Sequence, residues 1–269
     1  MDAEISFKTS VDVARIRRAC RVAERCLRYL APCVQPGIST AELDRLAGRF
    51  LSENGAVSAL RGYRGFPGSI CASVNNVAAH GIPSERKLES GDVLALDITA
   101  NVEGWHGDAA WTFLVGEATP DGRRLTRAAW QATLAGIHAA ASGARMGDVG
   151  AAIQDAAHKL GCSVIEDYVG HGIGRAMHED PMIPNFGAPD TGLRILPGMV
   201  FTVEPMLTLG MRDVHVSTDG WTLVTTDGSL SAQFEHTVAV FRDYTEVLTY
   251  SHGSLFDSPD QPPSLESLL

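Results

Sequence analysis

Four acids of this chain stand where strands should carry apolar side chains. Asp97 interrupts VLALDIT (93–99), Asp108 lies in HGDAAWTF (106–113), Glu204 in FTVEPML (201–207) and Glu235 in SAQFEHTVAVF (231–241). All four segments read as strands from their apolar and β-branched content. An unpaired charge buried in a strand costs several kcal/mol, so four of them call for a compensating cation. The NVEG between the first two segments is turn chemistry. A hairpin closing around Val102 and Glu103 sets Asp97 opposite Asp108, with Cβ atoms about 4.5–5.5 Å apart. Two carboxylates that close repel, and one keeps its proton unless a cation lies between them.

A nitrogen donor is available in DYVGHGIGRAMHEDP (167–181), where glycines flank His171 and leave its imidazole room to reach a site. The same glycines invite a phosphate-loop reading, but GHGIGRAMH has neither dinucleotide-binding spacing nor the P-loop Lys-Ser/Thr pair. Four carboxylates and one imidazole make a hard, oxygen-rich donor set, suited to two divalent cations rather than to a thiolate-bound structural zinc. Four negative charges also offset two dications. Paired metals activate water and polarise carbonyl or phosphoryl oxygens, so the residues by themselves leave aminopeptidase and phosphatase chemistry both open.

Something must bring these acids together from distant parts of the chain, and an internal repeat supplies it. Residues 11–33 carry Ile16, Cys20, Ala23, Leu27 and Leu30 at helical spacing. Gly37 ends that helix, and Ser39-Thr40 opens a second that runs to Gly55. Helices at 124–142 and from Val149 to Gly161 repeat the layout, with Gly37 on Gly143, Leu43 on Val149 and Gly55 on Gly161 at one constant offset. Downstream, LESGDVLALDITA aligns with ILPGMVFTVEPML and places Asp97 on Glu204. Two α+β half-repeats (about 10–115 and 120–245) within one domain spanning 1–269 follow, their sheets meeting at a pseudo-twofold axis with helices outside. Residues 1–8 and 251–269 read as irregular tails, the latter rich in Ser, Pro and Asp.

Composition narrows the setting. The net charge of −10 argues against wholesale binding to nucleic acid or anionic membrane. No apolar run is long enough to span a bilayer, and MDAEISFKTS lacks a signal-peptide layout. Cys20, Cys26, Cys33, Cys71 and Cys162 are odd in number without CxxC spacing, which fits a reduced cytoplasmic protein. We expect a monomer.

Five segments, in order, resemble type I methionine aminopeptidases: GYRGFPGSICASVNNVAAHGIP, ALDITANVEGWHGDAAWTF, YVGHGIGRAMHEDP, LPGMVFTVEPM and DGWTLVTTDGSLSAQFEHT. The resemblance runs from about Ile5 to Tyr250. It implies the pseudo-symmetric pita-bread fold, with an antiparallel sheet core and helices outside, in agreement with the repeat. It implies that Asp97, Asp108, His171, Glu204 and Glu235 hold two divalent ions (Co²⁺, Mn²⁺, Fe²⁺ or Zn²⁺), with Asp108 and Glu235 bridging them. The implied reaction removes the N-terminal methionine from nascent polypeptides whose second residue is small. Glu204 shuttles a proton, His178 donates to the scissile carbonyl or oxyanion, and His80 contacts the scissile amide nitrogen or the bound N-terminus. The matching methionine pocket comprises Leu60, Tyr63, Phe66, Cys71, Met177 and Trp221. Leu60 stands where the family usually has Cys, and Met177 where it has Phe.

The absence of a long insertion between His178 and Glu204 separates the chain from the type II branch. Prolidases and aminopeptidase P, of the same fold, usually carry a large domain before their first helix pair, and a metal-free binding protein would be expected to have lost ligands. A transient ribosome contact is a further expectation, through the arginines of RIRRACRVAERCLR (15–28).

Overall fold

The computed structural model describes residues 5–250. In the first half, α1 (Ser10–Leu30) and α2 (Thr40–Glu53) precede β1 (Val57–Ser58), β2 (Cys71–Val74), β3 (Val77–Ala79), β4 (Val93–Val102) and β5 (Trp105–Leu114). In the second, α3 (Pro120–Ala139) and α4 (Met146–Lys159) precede β6 (Ser163–Val164), β7 (Gly170–Gly172), β8 (Glu179–Ile183), β9 (Val200–Val203) and β10 (Met206–Thr208). The chain continues through β11 (Val214–Val216), β12 (Leu223–Thr225), β13 (Ser231–Gln233), β14 (Glu235–Val240) and β15 (Thr245–Val247). The expected order of two helices followed by strands thus occurs twice, each helix beginning or ending within a few residues of its expected boundary.

Local chemistry explains the helix starts. Thr9 and Ser39 cap α1 and α2 by accepting from Asp12 N and Glu42 N, and Thr119 caps α3 with Pro120 in its first turn. Both α1 and α3 lay an apolar face on the sheet.

The main sheet runs β1-β4-β5-β14-β9-β7-β8, with β2 added on β4 and β15 on β14, and every pair is antiparallel. Its centre is palindromic: β5 of the first half pairs with β14 of the second, flanked by β4 and β9. The halves therefore meet sheet edge to sheet edge, and the acids flank the seam.

The sequence expectation for the hairpin needs correction. Val102 pairs with Trp105, so the two-residue turn is Glu103-Gly104, with φ of 53° and 78°. A turn with positive φ at both central residues suits Gly104 and would strain a β-branched valine. The register moves with it: Asp97 pairs with Ala110, and Asp108 with Thr99. Asp97 and Asp108 are diagonal neighbours on one face, still within reach of each other.

Two expected strands are each split. FTVEPML leaves β9 at Glu204-Pro205 and resumes as β10, while SAQFEHTVAVF breaks at Phe234 between β13 and β14. The halves of each segment serve different sheets, β9 pairing β14 and β10 pairing β13. Pro205 cannot donate to a ladder, which fixes the first break. Glu204 thus follows its strand instead of lying inside it, and Glu235 opens β14.

Leu94, Leu96 and Ile98 point to the helix face and are fully buried in the main core with residues of all four helices. α1 lies against β5 so closely that a Cβ on Gly107 would stand 2.2 Å from the Cys20 nitrogen. Residues 5–8, expected as tail, have no regular structure but are tied down: Lys8 is buried and its N–H donates to Gly198 O at 2.7 Å. The expected tail at 251–269 lies outside the described residues.

Most of the basic helix face engages partners within the chain. Arg17 makes a bidentate pair with Glu246, Arg18 pairs with Glu103, Arg28 with Glu24, and Arg25 with Asn54. Arg15 stacks over Trp105. The five cysteines carry free thiols. Among the described residues no helix is long and apolar enough to cross a membrane.

Candidate active site

Register alone gathers the candidate donors. Cys71 pairs with Asp97, Asp97 with Ala110, Ala110 with Glu235, and Asp108 with Thr99, so these side chains share the sheet face away from α1. On the other side of the seam Thr202 and His171 fall on that face too, and Glu204 follows two residues after Thr202. His171, expected in a loop, lies in the short strand β7. Above this face opens a cleft of about 900 Å³.

All five expected donors line the cleft. Donor atoms of Asp108, His171 and Glu235 lie within 4.8 Å of one another, and His171 Nε2 is 3.4 Å from Glu204 Oε1 and 4.0 Å from Asp108 Oδ2. Hydrogen bonds behind the donors aim them. His171 Nδ1 donates to Gly172 O at 3.0 Å, which leaves Nε2 unprotonated toward the acids. Thr202 Oγ1 donates to Glu204 Oε1 at 2.7 Å and accepts from His171 N at 3.0 Å. Thr99 Oγ1 donates to Asp108 Oδ1 at 2.9 Å. Asp97 Oδ1 and Glu235 Oε1 are buried and accept no hydrogen bond among the described residues.

Electrostatics amplify that mismatch. Burial raises all four carboxyls, and repulsion from neighbouring acids adds to it at Asp97, Glu204 and Glu235. Asp97 and Glu235 stand far above the usual range, Glu204 at about 8 and Asp108, which hydrogen bonds hold back, at about 6. Burial drives His171 down to about 3, so the imidazole is neutral. Unpartnered oxygens, crowded acids and a neutral imidazole with a free lone pair together fit divalent cations held by oxygen and nitrogen. Among the described residues no arginine or lysine pairs with these carboxylates.

His178 lies over His171, ring centroids 4.3 Å apart, and its Nδ1 faces Tyr63 Oη at 3.1 Å. Burial lowers the pKa of His178 and of His80. His80 has φ of 53° and stands edge-on to Tyr168 at 5.3 Å and Trp221 at 6.2 Å.

Beside the acids, Leu60, Phe66, Cys71 and Met177 form a separate apolar cluster with Tyr63 and Trp221 packed on it. Phe66 meets Trp221 edge-to-face at 5.1 Å. The structure therefore assembles every expected pocket residue in one place. Sequence reasoning missed Tyr168, Met206 and Gln233, which also line the cleft. Tyr168 stands three residues before His171 and Gln233 two before Glu235, close enough to a donor to have been found. It missed Thr99 and Thr202 as well, although each stands two residues from an acid and hence on the same face of a strand.

Comparison with known proteins agrees with this geometry. Residues 14–241 match metallopeptidase family M24. Methionine aminopeptidase A of Synechocystis is 45% identical over 250 residues, covering 93% of this chain and 99% of that protein. Methionine aminopeptidase 1 of Bacillus subtilis is 42% identical, covering 91% and 99%. The crystal structure of methionine aminopeptidase from Rickettsia prowazekii superposes with a TM-score of 0.90 at 42% identity, covering 91% of this chain and all of that one.

Proposed function

The chain belongs to metallopeptidase family M24, in its pita-bread fold, and from that membership and the cleft we propose that it removes N-terminal methionine from polypeptides whose second residue is small. The observation that carries the reading is one cleft holding both a five-donor acid and imidazole cluster and an aromatic, sulfur-containing pocket. Asp97, Asp108, His171, Glu204 and Glu235 would hold two divalent ions. Such ions, when bound, lower the pKa of water and polarise a carbonyl.

The remaining chemistry belongs to side chains. Glu204 Oε1 takes a proton from the attacking water and passes it to the nitrogen of the leaving peptide. In this reading Tyr63 Oη, 3.1 Å from His178 Nδ1, is the donor of that contact, which keeps the His178 proton on Nε2 for donation to the carbonyl oxygen of the first peptide bond as negative charge develops there. His80, neutral at physiological pH, contacts the scissile nitrogen or the bound N-terminus. Its ring, with Tyr168 and Trp221, forms a wall of aromatic edges that we read as the limit on the second side chain.

The methionine side chain enters the cluster of Leu60, Tyr63, Phe66, Cys71, Met177 and Trp221. Burying a side chain of that size stabilises by roughly 1.5–3 kcal/mol, and thioether contacts with the rings add to it. Met177 and Leu60 make this pocket more flexible in shape than one lined by Phe and Cys at those positions. The substrates we infer are the N-termini of nascent chains.

The test is a peptide assay with Met-Ala-Ser, Met-Lys-Ser and an Xaa-Pro peptide, with metal restored after chelation. Methionine release from Met-Ala-Ser alone supports the reading. Cleavage before proline alone would replace it with a prolidase activity.

A further inference from the structure

Lys8 belongs to no part of the chemistry above, yet it is buried, and its ammonium binds Glu179 in one distant loop besides the nearby Ser6. Nζ donates to Glu179 Oε2 at 2.5 Å and to Ser6 Oγ at 2.6 Å. The other oxygen of Glu179, Oε1, accepts from Ala176 N at 3.0 Å and so closes the turn that contains Met177 and His178. The fit is tight. A Cβ on Gly174 would lie 2.7 Å from both Lys8 Cε and Nζ and 2.8 Å from Glu179 Oε1, so the glycine leaves the room in which this ion pair lies.

The loop is held at its other end by the hairpin of β4 and β5. His106 donates to Gly174 O from its backbone nitrogen at 2.9 Å and faces it with Nδ1 at 3.1 Å, and Arg175 stacks on Trp105 at 4.2 Å. Between these two anchors stand Met177, a wall of the methionine pocket, and His178. The backbone of residue 8 is itself pinned to Gly198, just before β9.

We propose that Lys8 is a positioning residue for the reaction, acting through Glu179 to hold His178 over the acid cluster. The proposal rests on the peptidase reading for its activity arm. The lysine touches no reacting atom. Its charge fixes Glu179, Glu179 fixes the turn 176–179, and the turn fixes where the His178 ring lies relative to His171. Glu179 is half-buried at the edge of the loop, so without its cation the carboxylate can turn to water, which would free the Ala176 N–H and loosen the turn.

A double-mutant cycle separates positioning from general support. Lys8→Met should lower kcat on Met-Ala-Ser about tenfold, with metal affinity by calorimetry unchanged. In a His178→Ala background the same substitution should cost less than about twofold in kcat, because the ring it positions over the acids is gone and a shift of Met177 is read in KM instead. Amide hydrogen exchange gives an independent readout: residues 176–179 should exchange at least about tenfold faster in Lys8→Met, with α1 and α2 unchanged. If Lys8→Met does not fold, Glu179→Gln, which keeps an acceptor for Ala176 and removes the charge, is measured in the same way. Equal losses of kcat in both backgrounds, or unaltered exchange across 176–179, would overturn the proposal. Failure of the unaltered protein to release methionine would sink the peptidase reading instead, and the exchange measurement then decides the role of Lys8.

Discussion

Stripping divalent ions from this protein should make it less stable as pH rises from 6.5 to 8. The folded state holds Glu204 protonated up to about 8, whereas an unfolded glutamate releases its proton near 4.5. Between those values the native state binds more protons than the unfolded one, so stability falls with rising pH. Histidines act in the opposite direction at lower pH. His171 is pushed down to about 3 and His236 to about 4, so below their usual 6.5 the unfolded chain takes up protons that the folded chain refuses. Above 6.5 the unfolded chain still gives up the protons that half its imidazoles hold at that pH. This is a gain of up to about 0.4 kcal/mol by pH 8 for each of His80, His106, His171, His178 and His236, and the losses at Asp97, Glu204 and Glu235 together outweigh it. From 6.5 to about 8, Glu204 contributes a loss of roughly 2 kcal/mol, and the raised Asp97 and Glu235 deepen it. For a domain of this size that is a fall in Tm of roughly 4–8 °C for the one group. Thermal denaturation in excess chelator, repeated with saturating Mn²⁺, reads it directly. The chelated protein should lose stability across the window, and the loaded protein should not, since bound cations keep the acids ionised. A chelated Tm that is flat or climbs from 6.5 to 8 would refute the argument that these carboxyls crowd one another in a water-poor site.

Three further outcomes follow from the same geometry. Glu235→Gln should weaken metal binding by at least about a hundredfold and abolish peptide cleavage, yet raise the Tm of chelated protein at pH 8 by removing a buried acid; a lower chelated Tm would contradict the electrostatics. Tyr63→Phe deletes the hydroxyl that faces His178 Nδ1, so kcat should drop about tenfold while the fold, judged by circular dichroism, is retained. Gly107→Ala drives a methyl group into the α1 backbone at Ala19 and Cys20; the overpacking should cost about 3 kcal/mol or more in urea denaturation, and a change below about 1 kcal/mol would show that α1 gives way.

Much of this molecule was legible before any coordinates. The helices were marked by their caps and apolar spacing, and the repeat was visible in Gly37, Gly143, Asp97 and Glu204 because duplicated halves need the same turns. The five donors stood out because a carboxylate in an apolar strand is costly enough to demand a reason. Register was harder. The hairpin slipped by one position because turn chemistry in NVEG fits two placements, and only the strain of valine at positive φ decides between them. The breaks at Glu204 and Phe234 were read as continuous strands, since local β propensity is blind to which sheet a residue will join. Lys8 was invisible for a similar reason: its partner lies far along the chain, in a loop whose shape no local pattern dictates.

The seam between β5 and β14 is short in backbone pairing, with only Glu235 on Ala110 and His236 on Ala109 in register. Side-chain bonds reinforce it, from Thr112 Oγ1 to Gln233 O at 2.6 Å and from Thr237 Oγ1 to Asp108 O at 2.8 Å. Yet repelling acids line both of its banks. Divalent ions shared across it would act as rivets between two lobes that otherwise push apart at their closest approach. A chain cleaved in the connection at 116–119 ought then to reassemble from its fragments far better in the presence of such ions than in their absence.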